Sequence, residues 1–121
     1  MSDTRWTKAE KEIARRVFDA ALERELAEVM AVFKGRAAKA TEPEDMWAVE
    51  KYLEDARRRI DRKYDYRYSQ LELVFGQLLW EKRITEEDLK GLSEDKLASV
   101  RRIASVWTRQ RGEPGALGAG T

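Results

Sequence analysis

PEDMWAVEKYLEDARRRIDRKYDYRYSQLELVFGQLLWEK occupies residues 43–82, and its periodicity decides the fold class. Met46, Val49, Leu53, Ala56, Ile60, Tyr64, Arg67, Leu71, Val74 and Leu78 advance 32 residues in nine steps. That is about 3.6 residues per step, the α-helical repeat, and Arg67 is the one charged side chain in the row. Pro43 suits a first turn, where its missing amide would be unpaired anyway. Glu42, Glu44 and Asp45 sit at the same end, where the helix dipole favours negative charge. The pattern predicts a single helix over 43–82, with Ser69 or Gly76 as the place for a kink.

Helical signals continue on both sides of this stretch. Thr7 and Glu10 have the spacing of a capping box, which starts a helix running to about Ala40. Phe18, Leu22, Leu26, Val29 and Phe33 make one apolar stripe along it, and Ile13, Val17 and Ala21 make another. After residue 82, Thr85 caps a short helix that Gly91 ends in a left-handed conformation. Ser93 caps a last helix through Leu97, Val100, Ile103, Ala104 and Trp107. The expected architecture is all-α: an elongated long-helix hairpin or stalk (about 7–82) with a small C-terminal helical head (about 85–109), together a single domain over 1–109. Residues 110–121 hold four glycines and a proline, too little apolar surface to offset the entropy of ordering, and are expected to be disordered.

Composition narrows the function. The chain has 121 residues, 42% hydrophobic and 39% charged, with 24 basic and 23 acidic side chains. It holds neither cysteine nor histidine, which excludes disulfides, thiolate chemistry, Cys/His zinc sites and histidine bases. Its carboxylates lie one helical turn from cations, as in Glu54–Arg58 and Asp55–Arg59, the pattern of a solvated face. No phosphate loop or nucleophile elbow occurs, so neither catalysis nor a cofactor is expected. The run Arg57, Arg58, Arg59, Arg62, Lys63 is the one nucleic-acid candidate. Six cations face four anions over 54–67, a small excess with a weak counterion-release contribution. No apolar run is long enough for a membrane span and no signal-peptide core is present, so a cytoplasmic protein is expected.

Two helices of roughly 40 residues would each be about 60 Å long. A compact globule of this size is only about 35 Å across. Such helices leave apolar surface uncovered, and a homodimer is expected to bury it, with Met46, Leu53, Ile60 and Tyr64 along the seam and Arg57 half-buried at its edge. The alternative is a break near Ser69 and a monomeric bundle. Trp47, Tyr66, Leu73 and Trp80 project opposite the apolar row of the second helix. Either other parts of the chain cover them or they dock a partner, aromatic residues being enriched at binding hot spots.

The segment IDRKYDYRYS (60–69), followed by VFGQLL (74–79), resembles the fluorescence recovery proteins of cyanobacteria, whose pattern is Ile-Asp-x-Lys-Tyr-Asp-x-Arg-x-Ser and then Val-Phe-x-Gln-Leu-Leu. Asp45-Met46-Trp47, Arg57 and the head segment 87–96 fit the same family, and the resemblance spans about 6–104. It implies a non-enzymatic helical dimer that binds the photoactivated orange carotenoid protein, helps detach it from the phycobilisome and speeds its return to the resting form. By this resemblance Trp47 and Arg57 match positions of partner binding and dimer contact, and Met46 matches an apolar dimer position. Glu50 and Lys51 stand where the pattern has a His-Asp pair, Leu73 where it has a partner-facing aromatic, and Ser99 where it has a lysine. The alternative expectations are a dimeric adaptor for an unrelated protein in a non-photosynthetic bacterium, and weak nucleic-acid binding through 57–63.

Overall fold

A computed structural model describes residues 5–114, and every regular element among them is helical: α1 (Lys8–Lys39), α2 (Pro43–Lys63), α3 (Leu71–Trp80), a 3₁₀ turn (Glu87–Leu89) and α4 (Glu94–Arg111). The local start signals act as the sequence predicts. Glu10 N–H donates to Thr7 Oγ1 at 3.1 Å, and Thr7 N–H donates to Glu10 Oε1 at 3.0 Å. Asp45 Oδ2 accepts from the Thr41 and Glu42 amides at 3.0 and 3.1 Å before α2. Those two bonds hold its carboxyl below the ordinary value. Ser93 Oγ accepts from Lys96 N–H at 3.3 Å, and Gly91 has φ +108°.

The expected single helix over 43–82 is instead two helices. α2 stops at Lys63 and α3 starts at Leu71. The intervening Tyr-Asp-Tyr-Arg-Tyr-Ser-Gln is rich in poor helix formers, and its polar groups bond locally instead. Arg67 N–H donates to Asp65 O at 3.0 Å, and its guanidinium grips the Asp65 carboxylate at 2.9 and 2.6 Å. The buried members of the periodic row fall on both sides of the break, Ala56 and Ile60 before it and Leu71, Val74 and Leu78 after it. At the other end α4 runs through Arg111, two residues past the expected boundary of 109. The rest of the expected tail, from 115 on, lies outside the described residues.

The chain divides into two compact units. The first comprises the described residues up to Ala21 and those from Asp65 onward; the second is Leu22–Tyr64. In the first unit, Leu71, Phe75 and Leu78 of α3 are buried with Leu89 and Val100. Residues 71–80, which the periodic row assigns to the stalk, therefore share a core with the head. A Cβ on Gly76 would lie 2.6 Å from Ile103 Cβ, so this glycine lets α3 and α4 approach closely. Trp80 stacks on Trp107 with ring centroids 5.1 Å apart and donates to Gly112 O at 2.9 Å. Glu10, beyond its capping role, accepts from Ser93 N–H at 2.8 Å and from Lys96 Nζ at 3.2 Å.

The second unit is an antiparallel helical hairpin made by the later part of α1 and by α2. Glu25 meets Lys63 and Arg36 covers the Tyr52 ring at 4.6 Å, and both pairs are centred on the start of α2. Buried residues here are confined to Glu25, Ala56, Ile60 and Lys63; between 26 and 55 there is none.

Candidate functional site

Glu25 and Lys63 anchor the hairpin. Lys63 Nζ lies 2.7 and 2.8 Å from the two Glu25 oxygens, with the side chains 3% and 2% exposed. Tyr64 Oη donates to Glu25 Oε1 at 2.7 Å. A buried charge is tolerable only when paired and hydrogen-bonded, and among the described residues no buried side-chain nitrogen or oxygen lacks a partner. Sequence reasoning passed over this group, although Glu25 continues the buried face of Ala14, Val17, Phe18 and Ala21 by one turn.

α2 sorts the candidate residues by helical register. Ala56, Ile60 and Lys63 form its buried row. Arg57 sits one residue, about 100°, away from that row. Within the single chain its side chain is 86% exposed and lies 3.9 Å from Asp61, which leaves it open to the dimer seam or partner at which burial is expected. Of the residues expected along a seam, Ile60 is buried and Tyr64 half-buried within the single chain, and Met46 and Leu53 are exposed. Trp47, 60% exposed, shares a face with Lys51 one turn on. Lys51 Nζ pairs with Asp55 at 3.2 Å, so Asp55 serves Lys51 rather than Arg59. Arg58 pairs with Glu54 at 3.5 Å as its spacing predicts.

The four off-row residues part company. In the first unit, Trp80 is buried under Trp107, and Tyr66 lies edge-on to Phe18 with centroids 4.9 Å apart. Leu73 of the same unit remains 52% exposed, as Trp47 does in the hairpin. Leu26, Met30 and Phe33 add a further exposed apolar stripe on α1. Single exposed apolar residues are ordinary, whereas contiguous stripes mark interaction surfaces. No described helix is long and apolar enough to cross a membrane.

The fold and these stripes define a small all-α protein built on a helical hairpin. The chain belongs to the photoprotection regulator fluorescence recovery protein family, whose family model matches residues 6–104. It is 35% identical over 101 residues to the fluorescence recovery protein of Synechocystis sp., covering 84% of this chain and 93% of that one. The solved fluorescence recovery protein of Fremyella diplosiphon is similar with TM-score 0.79 and 35% identity, covering 83% of this chain and 98% of that chain. The solved Synechocystis sp. protein gives the same values.

Proposed function

We propose that this chain acts as a cytoplasmic homodimer that binds an orange-carotenoid-protein-like client and accelerates its return to the inactive state, without enzymatic chemistry. The observation that carries this reading is family membership over 6–104. The uncovered stripes on the hairpin supply surface for self-association, and Trp47, Lys51, Arg57 and Leu73 are the client-facing candidates. A binding protein speeds relaxation only by holding the barrier state more tightly than the activated one. A partner that contacts two separated client domains at once does so by raising their effective concentration.

The test is direct. The protein is mixed with photoactivated orange carotenoid protein, and absorbance is followed in the dark. Faster recovery and co-elution on gel filtration are expected; an unchanged rate with no co-elution removes the client from the account. Lys51 favours a second reading, an adaptor for an unrelated protein partner. It puts a cation, paired with Asp55, where the family pattern has an aspartate, and like charges set against each other reject a partner. Affinity capture from the native organism separates the two readings.

A further inference from the structure

The first unit carries a groove that neither the capping nor the client-facing residues use. It has a volume of about 400 Å³ and is floored by Tyr66 and Tyr68. Lys8, Lys11, Arg15 and Arg16 of α1 line it, with Glu12 the one acidic member. Arg15 Cζ lies over the Tyr66 ring, 3.6 Å from its centroid, close enough for the guanidinium to stack on the ring face. Lys11 Nζ lies 4.9 Å over Tyr68. The floor is held from beneath, Tyr66 by Phe18 and Tyr68 by Trp6, whose ring centroid is 5.7 Å away. Tyr66 and Tyr68 occupy the two positions that the Lys-Tyr-Asp-x-Arg-x-Ser pattern leaves open, so the groove is a feature of this chain rather than of the motif.

We propose that this groove docks an extended protein segment in which acidic and apolar residues alternate. Charge complementarity argues for the acid: four cations line the groove against one anion. A stacked guanidinium keeps its N–H edge directed outward, the geometry that receives a carboxylate. Arg15 spends one such group on exposed Asp19 at 3.4 Å, an exchangeable surface contact. Spacing argues for an extended segment. Lys8, Lys11 and Arg15 span about 10.5 Å along α1, against about 13.6 Å for three alternate residues of a strand, a difference that the long lysine and arginine stems take up. The apolar residues between the acids would meet the lysine stems and tyrosine edges. Arg15 and Lys11 each lie over one of the two rings, so a nucleic-acid base would have to displace a cation to stack there. Burial, and next the hydroxyl contact with Tyr68, push the Tyr66 phenol above its ordinary value, so Tyr66 stays uncharged at neutral pH.

The probe is a dye-labelled peptide Glu-Val-Glu-Leu-Glu, titrated with the full chain by fluorescence anisotropy at low ionic strength. Its Gln-Val-Gln-Leu-Gln counterpart is expected to bind at least about tenfold more weakly. Lys11→Gln/Arg15→Gln is expected to lose a similar factor while keeping its helical circular dichroism. Lys8→Gln/Arg16→Gln, which leaves the stacked pairs intact, provides a second variant and loses a smaller factor. Arg58→Gln/Arg62→Gln removes equal charge from the hairpin and leaves peptide binding unchanged. Equal affinity for the two peptides, equal loss in the hairpin variant, or tighter binding of a single-stranded oligonucleotide of the same charge overturns the proposal. Because the measurement contains no carotenoid protein, its outcome is independent of the client reading.

Discussion

Lys63 and Glu25 meet at 2.7 Å with both side chains almost wholly buried, in a hairpin whose outer residues, 26–55, bury nothing. The ion pair thus sits at one end of a lever of exposed helix. Desolvating two charges is costly, and their attraction offsets that cost only while both are present. The pair is better evidence for a fixed helical register than for stability. It places α1 against α2 at one point, and the Arg36–Tyr52 contact lies at the same register further out.

Removing one partner should therefore be worse than removing both. Glu25→Leu leaves Lys63 buried without its carboxylate and Tyr64 Oη without its acceptor, at about 3–5 kcal/mol. Glu25→Leu/Lys63→Met is expected to recover most of that loss. Urea denaturation of the two variants beside the parent checks this. A double variant less stable than the single one would show that the charges contribute net stability.

Glu10 makes stability depend on pH. Burial alone would raise its carboxyl, but hydrogen bonds from the Thr7 and Ser93 amides and the Lys96 pair hold it below the ordinary value. A carboxyl lowered on folding contributes stability that is complete above its unfolded value and is lost as pH falls through its folded value. Stability from this group should be flat near neutrality and decline below about pH 4. Glu10→Gln should cost about 1–3 kcal/mol at pH 7 and show a shallower acid decline. Urea midpoints measured across that range decide it; parallel acid slopes for parent and variant would refute the assignment.

Gly76 reports on the α3–α4 contact. A methyl group there would overlap Ile103, so Gly76→Ala should destabilise by about 1–3 kcal/mol despite the better helix propensity of alanine. Ile103→Ala in the same chain should make the Gly76 change less costly. The comparison is a double-mutant cycle in thermal or urea unfolding, and strict additivity would mean that the two residues do not share the space.

Exposed apolar residues should separate association from folding. Leu53→Glu places a charge on the outer hairpin and should leave the unfolding midpoint of dilute protein within about 0.5 kcal/mol of the parent. In the proposed dimer it should halve the mass measured by light scattering at micromolar concentration. Trp47→Ala should likewise spare folding while weakening client binding. A parent chain that scatters as a single subunit would end the dimer proposal.

Helix identity and helix starts were legible because their causes lie within a few residues. The Thr7–Glu10 box, the Asp45 contacts, the Ser93 cap and the Gly91 turn each close over four residues or fewer. Family likeness was legible in Lys63-Tyr64-Asp65 and its flanks. Periodicity misled at one place: the row 46–78 is continuous in sequence, but Tyr64–Gln70 leaves the helix, and a 3.6-residue count has no means of registering that break. Arg57 lies one position of register from the buried row of α2 and is exposed in the single chain, so its expected burial depends on a second chain or a partner.

The alternation of apolar and charged residues, acting through neighbours one turn apart, was enough to set an all-α chain and its caps, and the motif at 60–79 carried its family likeness. Which side chains the molecule conceals was settled only in three dimensions. Glu25 and Lys63 are 38 residues apart, and Glu10 and Lys96 are 86 apart. The cost of burying each charge is cancelled by a partner that no local rule can nominate. Tertiary contacts likewise decided that Trp80 is buried against Trp107 and Tyr66 half-covered beside Phe18, while Trp47 and Leu73 stayed in water.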